Sequence, residues 1–572
     1  MSKFYYNEEQ ESYDAIVVGT GISGGWAAKE LCENGLKTLV LERGRMVKHR
    51  EDYPTANMDP WDFPNAGEAT LEDIAKQEKQ ARTGYTVKKA SQHWFVNDLE
   101  HPYNEVKRFD WMRGYHVGGR SIMWGRHSYR WSEMDFEANG KEGVAVDWPV
   151  RYKDIAPWYD KVESYIGVSG ELLGLPQLPD GKFEPMMELN CVEDFVRGKV
   201  AEHFDGRVIT AGRVAHINSD KRFEGDGRVR CQYRNRCVRG CPFGAYFSSV
   251  SSTLPAAERT GNMTLRPDSI VHEVIYDPNT KKATGVKVID RLTKEEFEFK
   301  AKVIFLCASA VASTSILMQS KSDRFPDGLG NDSGELGHNL MDHHFKAGAE
   351  GKMDGFDDKY YKGRKPNGIY IPRFRNIGGS SNMKNFTRGY GYQGGAGRDN
   401  YEDLVAEASF GKELKEGILK PGGWTMNMLG FGEILPYHEN KMTLDYDKKD
   451  QWGLPTVTFD AEIKENELEM RKDMQEQAAA MLEKSGARDI ETYDETYALG
   501  LGIHEMGTAR MGRNPKTSVL NGFNQVHACK NVYVTDGAFM TSASCVNPSL
   551  TYMAFTARAA NHAAQELKKG NI

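Results

Sequence analysis

The stretch DAIVVGTGISGGWAAKELCENGLKTLVLE, residues 14–42, constrains the fold more than any other part of the sequence. Residues 15–18 are an apolar run that ends at a glycine, and residues 23–34 have helical composition. TLVLE, soon after Gly35, is a second apolar run. This order predicts a strand, a helix and a second buried strand. We therefore expect an α/β fold with a Rossmann-like dinucleotide-binding domain.

Three glycines, Gly19, Gly21 and Gly24, form the pattern GxGxxG between the predicted first strand and the predicted helix. The first permits a tight turn, the second lets the backbone approach a pyrophosphate, and the third allows close packing of helix on strand. The helix N-terminus then offers free N–H groups to the phosphates. Glu42 ends the next strand, where its carboxylate would accept hydrogen bonds from an adenosine ribose. FAD and NAD both fit this pattern.

Charge and hydropathy exclude several classes of protein. The formal net charge of −7 over 572 residues argues against a nucleic-acid-binding protein. No run of 18 apolar residues occurs, so we expect no membrane span in this chain. The acidic start, MSKFYYNEEQESYD, lacks a signal-peptide pattern, so we expect no export signal here. Five of the 8 cysteines are scattered and do not resemble a disulfide framework.

Several later segments have clear periodicity. SIVHEVIYD and TGVKVID, on either side of DPNTKKA, predict a hairpin, and KVIFLCAS predicts a buried strand. Residues 463–487 predict a helix with Leu468, Met474, Ala478 and Met481 on one face. The final YMAFTARAANHAAQELKKG predicts an amphipathic helix. Residues 51–110 have no such pattern, and we interpret them as a loop-rich cover.

The C-terminal part of the chain carries the most specific motifs. VYVTD predicts a strand with a turn at Asp536-Gly537, Asn547-Pro548 opens a helix in NPSLT, and HEMGT begins at His504. VGGRSIMWG from residue 117, ASAVASTSILMQS from residue 308 and ELGHNLMDH from residue 335 precede them. In this order, and over essentially the whole chain, these motifs resemble those of the glucose–methanol–choline (GMC) oxidoreductase family.

The resemblance implies non-covalently bound FAD and alcohol oxidation by hydride transfer to the flavin. His504 matches the catalytic histidine of the family, and Asn547 matches its partner. A neutral imidazole can take the proton of the substrate hydroxyl, and a carboxamide can hold the same hydroxyl. Two features depart from the family pattern. RGYHV precedes Gly118, and Asn547 stands where some members have a second histidine.

The resemblance also implies cofactor contacts outside the first glycine turn. Gly118, Gly119 and Ser121 are expected to approach the flavin or its phosphates, where bulky side chains would push the cofactor away. His343 and His344 follow a family motif and are expected near the flavin.

The C-terminal motifs complete the expected cofactor site. Asp536 and Gly537 form the turn that the family places against FAD. The helix that opens at Pro548 would direct its N-terminus at the pyrimidine end of the flavin, where the reduced cofactor is negative.

Cys231, Cys237 and Cys241 form the pattern C-x5-C-x3-C among five arginines, and a proline follows the last cysteine. One branch of the resembling family, the catalytic subunits of bacterial membrane-linked sugar dehydrogenases, holds a [3Fe–4S] cluster on three cysteines in this region. The resemblance therefore implies such a cluster here, and a Cys-Pro pair also ends known iron–sulfur motifs. Two alternatives stay open: a zinc ion with a distant histidine as fourth ligand, and a loop that holds no metal.

A cluster would give electrons a path out of the enzyme. The branch implies a dehydrogenase that passes electrons to a cytochrome c, either a subunit or a soluble protein, with oxygen as a poor acceptor. It also implies a small partner subunit that carries the export signal. We therefore expect a periplasmic or inner-membrane-associated enzyme, or a cytoplasmic one if no such partner exists.

The expected substrate is a sugar. The opening of the chain through LERGRMVKHREDYPTAN resembles glucoside 3-dehydrogenases, which oxidise the C3 ring hydroxyl of a glucoside to a 3-keto sugar. The alternatives are oxidation at C1 of an aldose and an oxygen-using oxidase of the same family. We expect a discontinuous FAD-binding domain, 1–50, 226–345 and 496–572, that includes the iron–sulfur loop 228–247. An inserted α+β substrate domain would comprise 51–225 and 346–495.

Overall fold

The computed structural model describes residues 12–220, 227–359, 366–398, 411–417, 419 and 422–572. Residues 1–11 of the predicted polar start and the predicted boundary at 226 lie outside this part. The helices are α1 Ile22–Glu33, α2 Leu71–Lys76, α3 Glu133–Glu142, α4 Tyr152–Ile166, α5 Cys191–His203, α6 Thr253–Arg259, α7 Ala310–Gln319, α8 Lys412–Gly417, α9 Glu465–Lys484 and α10 Ser549–Lys568.

Strands from both ends and the middle of the chain form the first sheet. They are β1 Tyr13–Val18, β2 Thr38–Leu41, β5 Met263–Arg266, β6 Ser269–Asp277, β7 Lys282–Asp290, β8 Glu296–Leu306, β17 Gln525–Val526 and β18 Cys529–Val534. In the order β17-β18-β8-β1-β2-β5, every pair except β17-β18 is parallel. The hairpin β6-β7 joins through β8. The α/β fold with a Rossmann-like core is therefore confirmed.

A second sheet lies beyond the first and is antiparallel throughout its described strands. Its order is β16-β10-β13-β12-β11-β4, with β9 on β13. The strands are β4 Thr210–Ala211, β9 His343–His344, β10 Ala347–Met353, β11 Ile369–Ile371, β12 Tyr390–Arg398, β13 Trp424–Glu433 and β16 Arg488–Asp494. A small sheet joins β3 Asn104–Glu105, β14 Lys441–Lys449 and β15 Pro455–Asp460.

The local predictions agree with these elements, with one correction. Met474, Ala478 and Met481 on α9 are fully buried, but Leu468 is 44% exposed, and Met470 takes the buried position instead. The prediction that Leu468 is buried was wrong. The face of α9 that is buried is the one that packs on strands β10 and β13, and Leu468 does not lie on it. Pro548 directly precedes Ser549, the first residue of α10, so this helix opens where the sequence predicted.

The domain division stays a prediction. Helix α4, from the predicted substrate domain, packs on α10 at the C-terminal end of the chain. Trp131 and Trp148 from the same region are fully buried with Phe555 of α10. In the described residues, no helix is long and apolar enough to cross a membrane.

Candidate active site

The first glycine turn has the geometry that a bound pyrophosphate requires. Gly19 has a φ of 98°, and its N–H donates to the Leu41 carbonyl at 2.7 Å. A Cβ on Gly24 would lie 1.9 Å from the Gly19 carbonyl oxygen, so only glycine lets α1 pack on this turn. A Cβ on Gly21 would meet no atom within 4 Å, because Gly21 faces a cavity. This open cradle at a helix N-terminus fits the phosphates of FAD.

Glu42, directly after the last residue of β2, holds the first glycine turn through hydrogen bonds to its carboxylate. Its carboxylate accepts hydrogen bonds from the N–H and hydroxyl of Thr20 at 3.1 and 2.5 Å, and from the N–H of Gly44 at 2.9 Å. Burial raises the pKa of Glu42 above its ordinary value. The residue lines the cavity, where the predicted contact with a ribose stays a prediction.

A second tight turn closes over the first. The N–H of Gly118 donates to the Thr20 hydroxyl at 2.9 Å, and a Cβ on Gly119 would lie 3.3 Å from the Gly21 Cα. The Ser121 hydroxyl donates to the Gly118 carbonyl at 2.5 Å and accepts from the Ser249 N–H at 3.0 Å. Ser121 therefore joins the turn at Gly118 to the segment that carries Ser249.

The turn at Asp536 and Gly537 lines the same cavity. Asp536 accepts hydrogen bonds from the Ser309 N–H at 3.1 Å, the Ser313 hydroxyl at 2.5 Å and the Ala538 N–H at 3.0 Å. Burial raises the pKa of Asp536 to about 6. A Cβ on Gly537 would lie 2.2 Å from the Glu505 carbonyl oxygen. This turn therefore brings the start of α7 against the segment that carries His504.

One cavity of about 570 Å³ connects most of the predicted site residues. Its volume is in the range of ligand-binding pockets. Gly24, Gly118 and Pro548 pack behind its wall. The predicted residues that line the cavity are Gly19, Gly21, Glu42, Gly119, Ser121, His504, Asp536, Gly537 and Asn547.

His504 and Asn547 lie on the same cavity. The Nδ1 atom of His504 is buried and has no hydrogen-bond partner. Burial, with smaller contributions from His343 and Arg120, holds the pKa of His504 well below its ordinary value. The imidazole is therefore neutral at physiological pH and able to accept a proton. Gln393 Nε2 of β12 donates to Asn547 Oδ1 at 2.8 Å.

Asp342 positions the loop that carries His504, and sequence reasoning missed it. Its carboxylate is fully buried and accepts hydrogen bonds from the N–H groups of Gly500 (2.8 Å), Gly502 (2.9 Å) and His504 (3.1 Å). Burial and the charge of Glu505 raise the pKa of Asp342 to about 6. Asp342 lies in the motif ELGHNLMDH, directly before His343, and its place in that motif was the available indication of a role at the site.

His343 also belongs to this group. Its ring is perpendicular to that of His504, with the centroids 5.0 Å apart. In the described chain, Asp342, His343 and His504 are the one set of His, Cys, Asp and Glu residues with three potential ligand atoms within 4.8 Å of one another. Since Asp342 is occupied by donors from the loop, the set favours positioning of His504 over a metal ion. His344 is fully buried beneath β13 and does not line the cavity.

An ion pair lies next to His504, because Glu505 follows it in the chain. Arg120 donates to both carboxylate oxygens of Glu505 at 2.7 and 3.1 Å, and Arg120 lines the cavity. The second sheet and its connections contribute Gln393, Asn367 and Phe431 to the cavity wall. These three residues lie in no recognisable motif, so they could not be selected from the sequence.

Cys231, Cys237 and Cys241 are half-buried free thiols. Burial raises the pKa of Cys231 to about 11, and the charges of Cys237 and Cys241 add to this rise. Val238, between two of them, reaches the cavity wall. The cysteine loop, residues 228–247, therefore borders the FAD cavity.

The arginines of this loop hold it to a neighbouring segment. Arg234 donates to the Ala56 carbonyl at 2.5 Å, Arg239 donates to the Met58 carbonyl at 2.9 Å, and Arg236 pairs with Asp59. Three of the five arginines therefore hold the cysteine loop against residues 56–59.

Comparison with known proteins identifies the family. A family model described as GMC oxidoreductase matches residues 13–345, and a second with the same description matches residues 436–556. The chain is 28% identical to 2-methyl-1,2-propanediol dehydrogenase of Mycolicibacterium austroafricanum, over 96% of this chain and 94% of that one. It is 26% identical to the fructose dehydrogenase large subunit of Gluconobacter japonicus, over 99% and 100%.

Solved structures agree at the level of the fold. Formate oxidase of Aspergillus oryzae superposes with a TM-score of 0.61 at 15% identity, over 98% of this chain and 100% of that one. Pyridoxine 4-oxidase of Mesorbium loti superposes with a TM-score of 0.58 at 16% identity, over 96% and 98%.

Proposed function

Because the chain belongs to the GMC oxidoreductase family and is an FAD-dependent oxidoreductase that acts on CH–OH groups, we propose that it is a sugar dehydrogenase. The observation that carries this proposal is the single cavity shared by the dinucleotide turn, His504 and Asn547. The proposed reaction is oxidation of the C3 ring hydroxyl of a glucoside to a 3-keto sugar. The alternatives are oxidation at C1 of an aldose and an oxygen-using oxidase.

The roles of the chain's own residues follow from their chemistry. FAD, when bound, supplies the hydride acceptor. The neutral imidazole of His504 accepts the proton of the substrate hydroxyl, and Asn547 holds that hydroxyl in place. Gln393 orients the carboxamide of Asn547 through their 2.8 Å hydrogen bond.

Polar side chains of the cavity wall support a sugar as the substrate. Gln393, Asn367 and His127 place two carboxamides and an imidazole there. Side chains that both donate and accept hydrogen bonds suit a ligand with several hydroxyl groups. The preference for C3 rests on the resemblance of the first 57 residues to glucoside 3-dehydrogenases.

We further propose that Cys231, Cys237 and Cys241 hold a [3Fe–4S] cluster. Three half-buried thiols lie on one loop, and this loop reaches the FAD cavity at Val238. Three thiolates suit a cluster of three irons. The cluster would pass electrons singly from the flavin to a cytochrome c, as a subunit or a soluble protein.

The relatives support a complex with other subunits. One is named a large subunit and another, from Pantoea cypripedii, the flavoprotein of gluconate 2-dehydrogenase. We propose that a small subunit with an export signal accompanies this chain to the periplasm or the inner membrane. Co-purification of a signal-bearing small protein from the native host is the expected result. A chain that purifies alone from the cytoplasm would contradict it.

The first experiment uses protein purified without oxygen. Visible and low-temperature EPR spectra are recorded before and after addition of methyl glucoside, which is blocked at C1. The expected result is a flavin spectrum and an oxidised three-iron signal that both disappear on reduction. Free glucose serves as the matched control.

Each other outcome selects an alternative. Spectra that respond to free glucose alone move the reaction to C1. A flavin with no iron signal, in protein whose metal content has been measured, leaves zinc or a metal-free loop. In the metal-free case, rapid reoxidation by oxygen would identify an oxidase.

A further inference from the structure

Arg126 is a buried cation without an acidic partner. Its side chain is 6% exposed, its Nε atom is buried without a hydrogen-bond partner, and its one hydrogen bond runs from Nη1 to the Trp124 carbonyl. No carboxylate pairs with it among the described residues. An unpaired buried charge is costly, so its retention needs a physical reason.

Other buried arginines of the chain show the usual arrangement. Arg130 pairs with Glu163 at 2.5 Å, and Arg213 pairs with Asp180 at 2.8 Å. Arg373 has no carboxylate but donates from two nitrogens to backbone carbonyls. Arg126 therefore differs from Arg130 and Arg213 in charge balance, and from Arg373 in hydrogen bonding.

The position of Arg126 links the two regions proposed to carry electrons. The residue lines the FAD cavity. Its charge also acts on Cys231, where it lowers the pKa of the thiol against the larger effect of burial. The guanidinium thus lies between the cavity and the cysteine loop.

Rigid contacts hold the guanidinium at this wall. It lies over the ring of Tyr246, 5.4 Å from the centroid. The Arg126 carbonyl accepts from the Ala215 N–H at 2.9 Å and the Ser128 hydroxyl at 3.0 Å. The backbone has a φ of 64°, a left-handed conformation that costs free energy for a residue other than glycine. Such a site cannot easily turn its charge out to water.

We propose that Arg126 raises the reduction potential of the bound flavin. Reduction adds two electrons, and where the cofactor takes up one proton it gains one negative charge. A fixed cation in a water-poor wall stabilises that charge, because Coulomb interactions are stronger there than in water. The oxidised cofactor gains no such stabilisation.

The test is a reductive titration of the FAD-loaded enzyme, equilibrated with redox dyes and without sugar. Arg126→Gln removes the charge, and Arg126→Met removes it with an apolar side chain of similar length. Both are expected to lower the equilibrium constant of two-electron reduction at least tenfold, which is about 30 mV. Arg126→Lys keeps the charge, so its equilibrium constant of two-electron reduction is expected to fall by a smaller factor.

Arg230→Gln is the matched control. Arg230 lies on the cysteine loop with its side chain 46% exposed and 4.0 Å from Asp220. Its flavin potential is expected to equal that of the unaltered enzyme. An unchanged potential in a neutral Arg126 variant that retains FAD, or an equal fall in Arg230→Gln, overturns the proposal. If both neutral variants lose FAD, Arg126→Lys decides: a fall of tenfold or more in a variant that keeps the charge overturns the proposal, and a smaller change supports it.

The titration is independent of the proposed function. It requires neither turnover of a glucoside nor an iron signal, so failure of either leaves its result intact.

Discussion

At the residue scale, His504 works because its surroundings keep it neutral. Burial holds its pKa well below the ordinary value, so the free base is present throughout the neutral range. His504→Ala is expected to retain FAD and to slow flavin reduction by at least ~100-fold, the usual contribution of a general base. Stopped-flow absorbance measures the rate. The control is His527→Ala, because the His527 ring contacts Ser518, and its flavin is expected to be reduced at the normal rate. Fast flavin reduction in His504→Ala would show that His504 is not the base.

Asp342 gives the reaction its expected pH dependence. Its pKa of about 6 means that the carboxylate is charged above pH 6 and protonated below it. Protonation weakens its hydrogen bonds to the His504 loop, so the reduction rate should fall as the pH drops through 6. In Asp342→Asn this acid limb should disappear, and the rate at pH 8 should be ~10–100-fold lower, since small displacements of a base are costly.

The measurement is the rate of flavin reduction from pH 5 to pH 9. Asp536 also has a pKa of about 6, so it is the competing source of an acid limb. A limb that persists near pH 6 in Asp342→Asn would assign it to Asp536 and contradict the positioning role.

At the element scale, the βαβ unit separates two uses of glycine. Gly24→Ala places a Cβ 1.9 Å from the Gly19 carbonyl oxygen, so α1 must move and the protein should lose stability and FAD together. Gly21→Ala meets no protein atom within 4 Å, so the fold should persist while FAD binding weakens. Thermal unfolding and FAD content measure the two effects. Equal unfolding temperatures for both variants would contradict this division.

Helix α9 offers a second pair at this scale. Met474 is fully buried against β13, whereas Leu468 is 44% exposed. Met474→Ala is expected to lower the free energy of unfolding by ~2–5 kcal/mol through lost burial and a cavity. Leu468→Ala is expected to change it by ~0.5 kcal/mol or less. Chemical denaturation followed by circular dichroism measures both free energies of unfolding. If Leu468→Ala lowers the free energy of unfolding as much as Met474→Ala does, Leu468 is buried and the present assignment is wrong.

At the scale of the whole molecule, Arg388 joins separate parts of the structure. It is fully buried and donates to Glu433 of β13 at 3.2 Å, and to Glu142 and Asn139 of α3 at 2.5 and 2.7 Å. Asn139 in turn donates to the Thr541 carbonyl at 2.9 Å. The second sheet is thereby tied to the C-terminal segment of the site.

Arg388→Met should leave the Glu433 carboxylate buried without its cation. The expected loss in the free energy of unfolding is ~3–5 kcal/mol, the usual effect of breaking a buried ion pair. Arg324→Met, which removes an exposed pair with Asp332, should cost ~1 kcal/mol or less. Denaturation of both variants measures the difference. Equal small losses would show that Glu433 is satisfied without Arg388.

The sequence by itself determined the dinucleotide turn, the α/β class and the family. Gly19, Gly21 and Gly24 lie within six residues, and their roles depend on local backbone geometry that periodicity and spacing encode. His504 and Asn547 were found through motifs, which is also why Asp342, inside a motif but without a recognised task, was missed. Local patterns predict what neighbours in the chain do to one another.

Only the tertiary structure decided which distant side chains meet. Gln393 and Asn547 are 154 residues apart and come together because β12 of the second sheet faces the C-terminal turn. Arg126 and Cys231 are brought to one wall by backbone pairing around residues 214–217. Neither contact has a sequence period, since each depends on how sheets and loops pack. The same physics explains Leu468, whose exposure is set by the strands beneath α9 rather than by its own hydrophobicity.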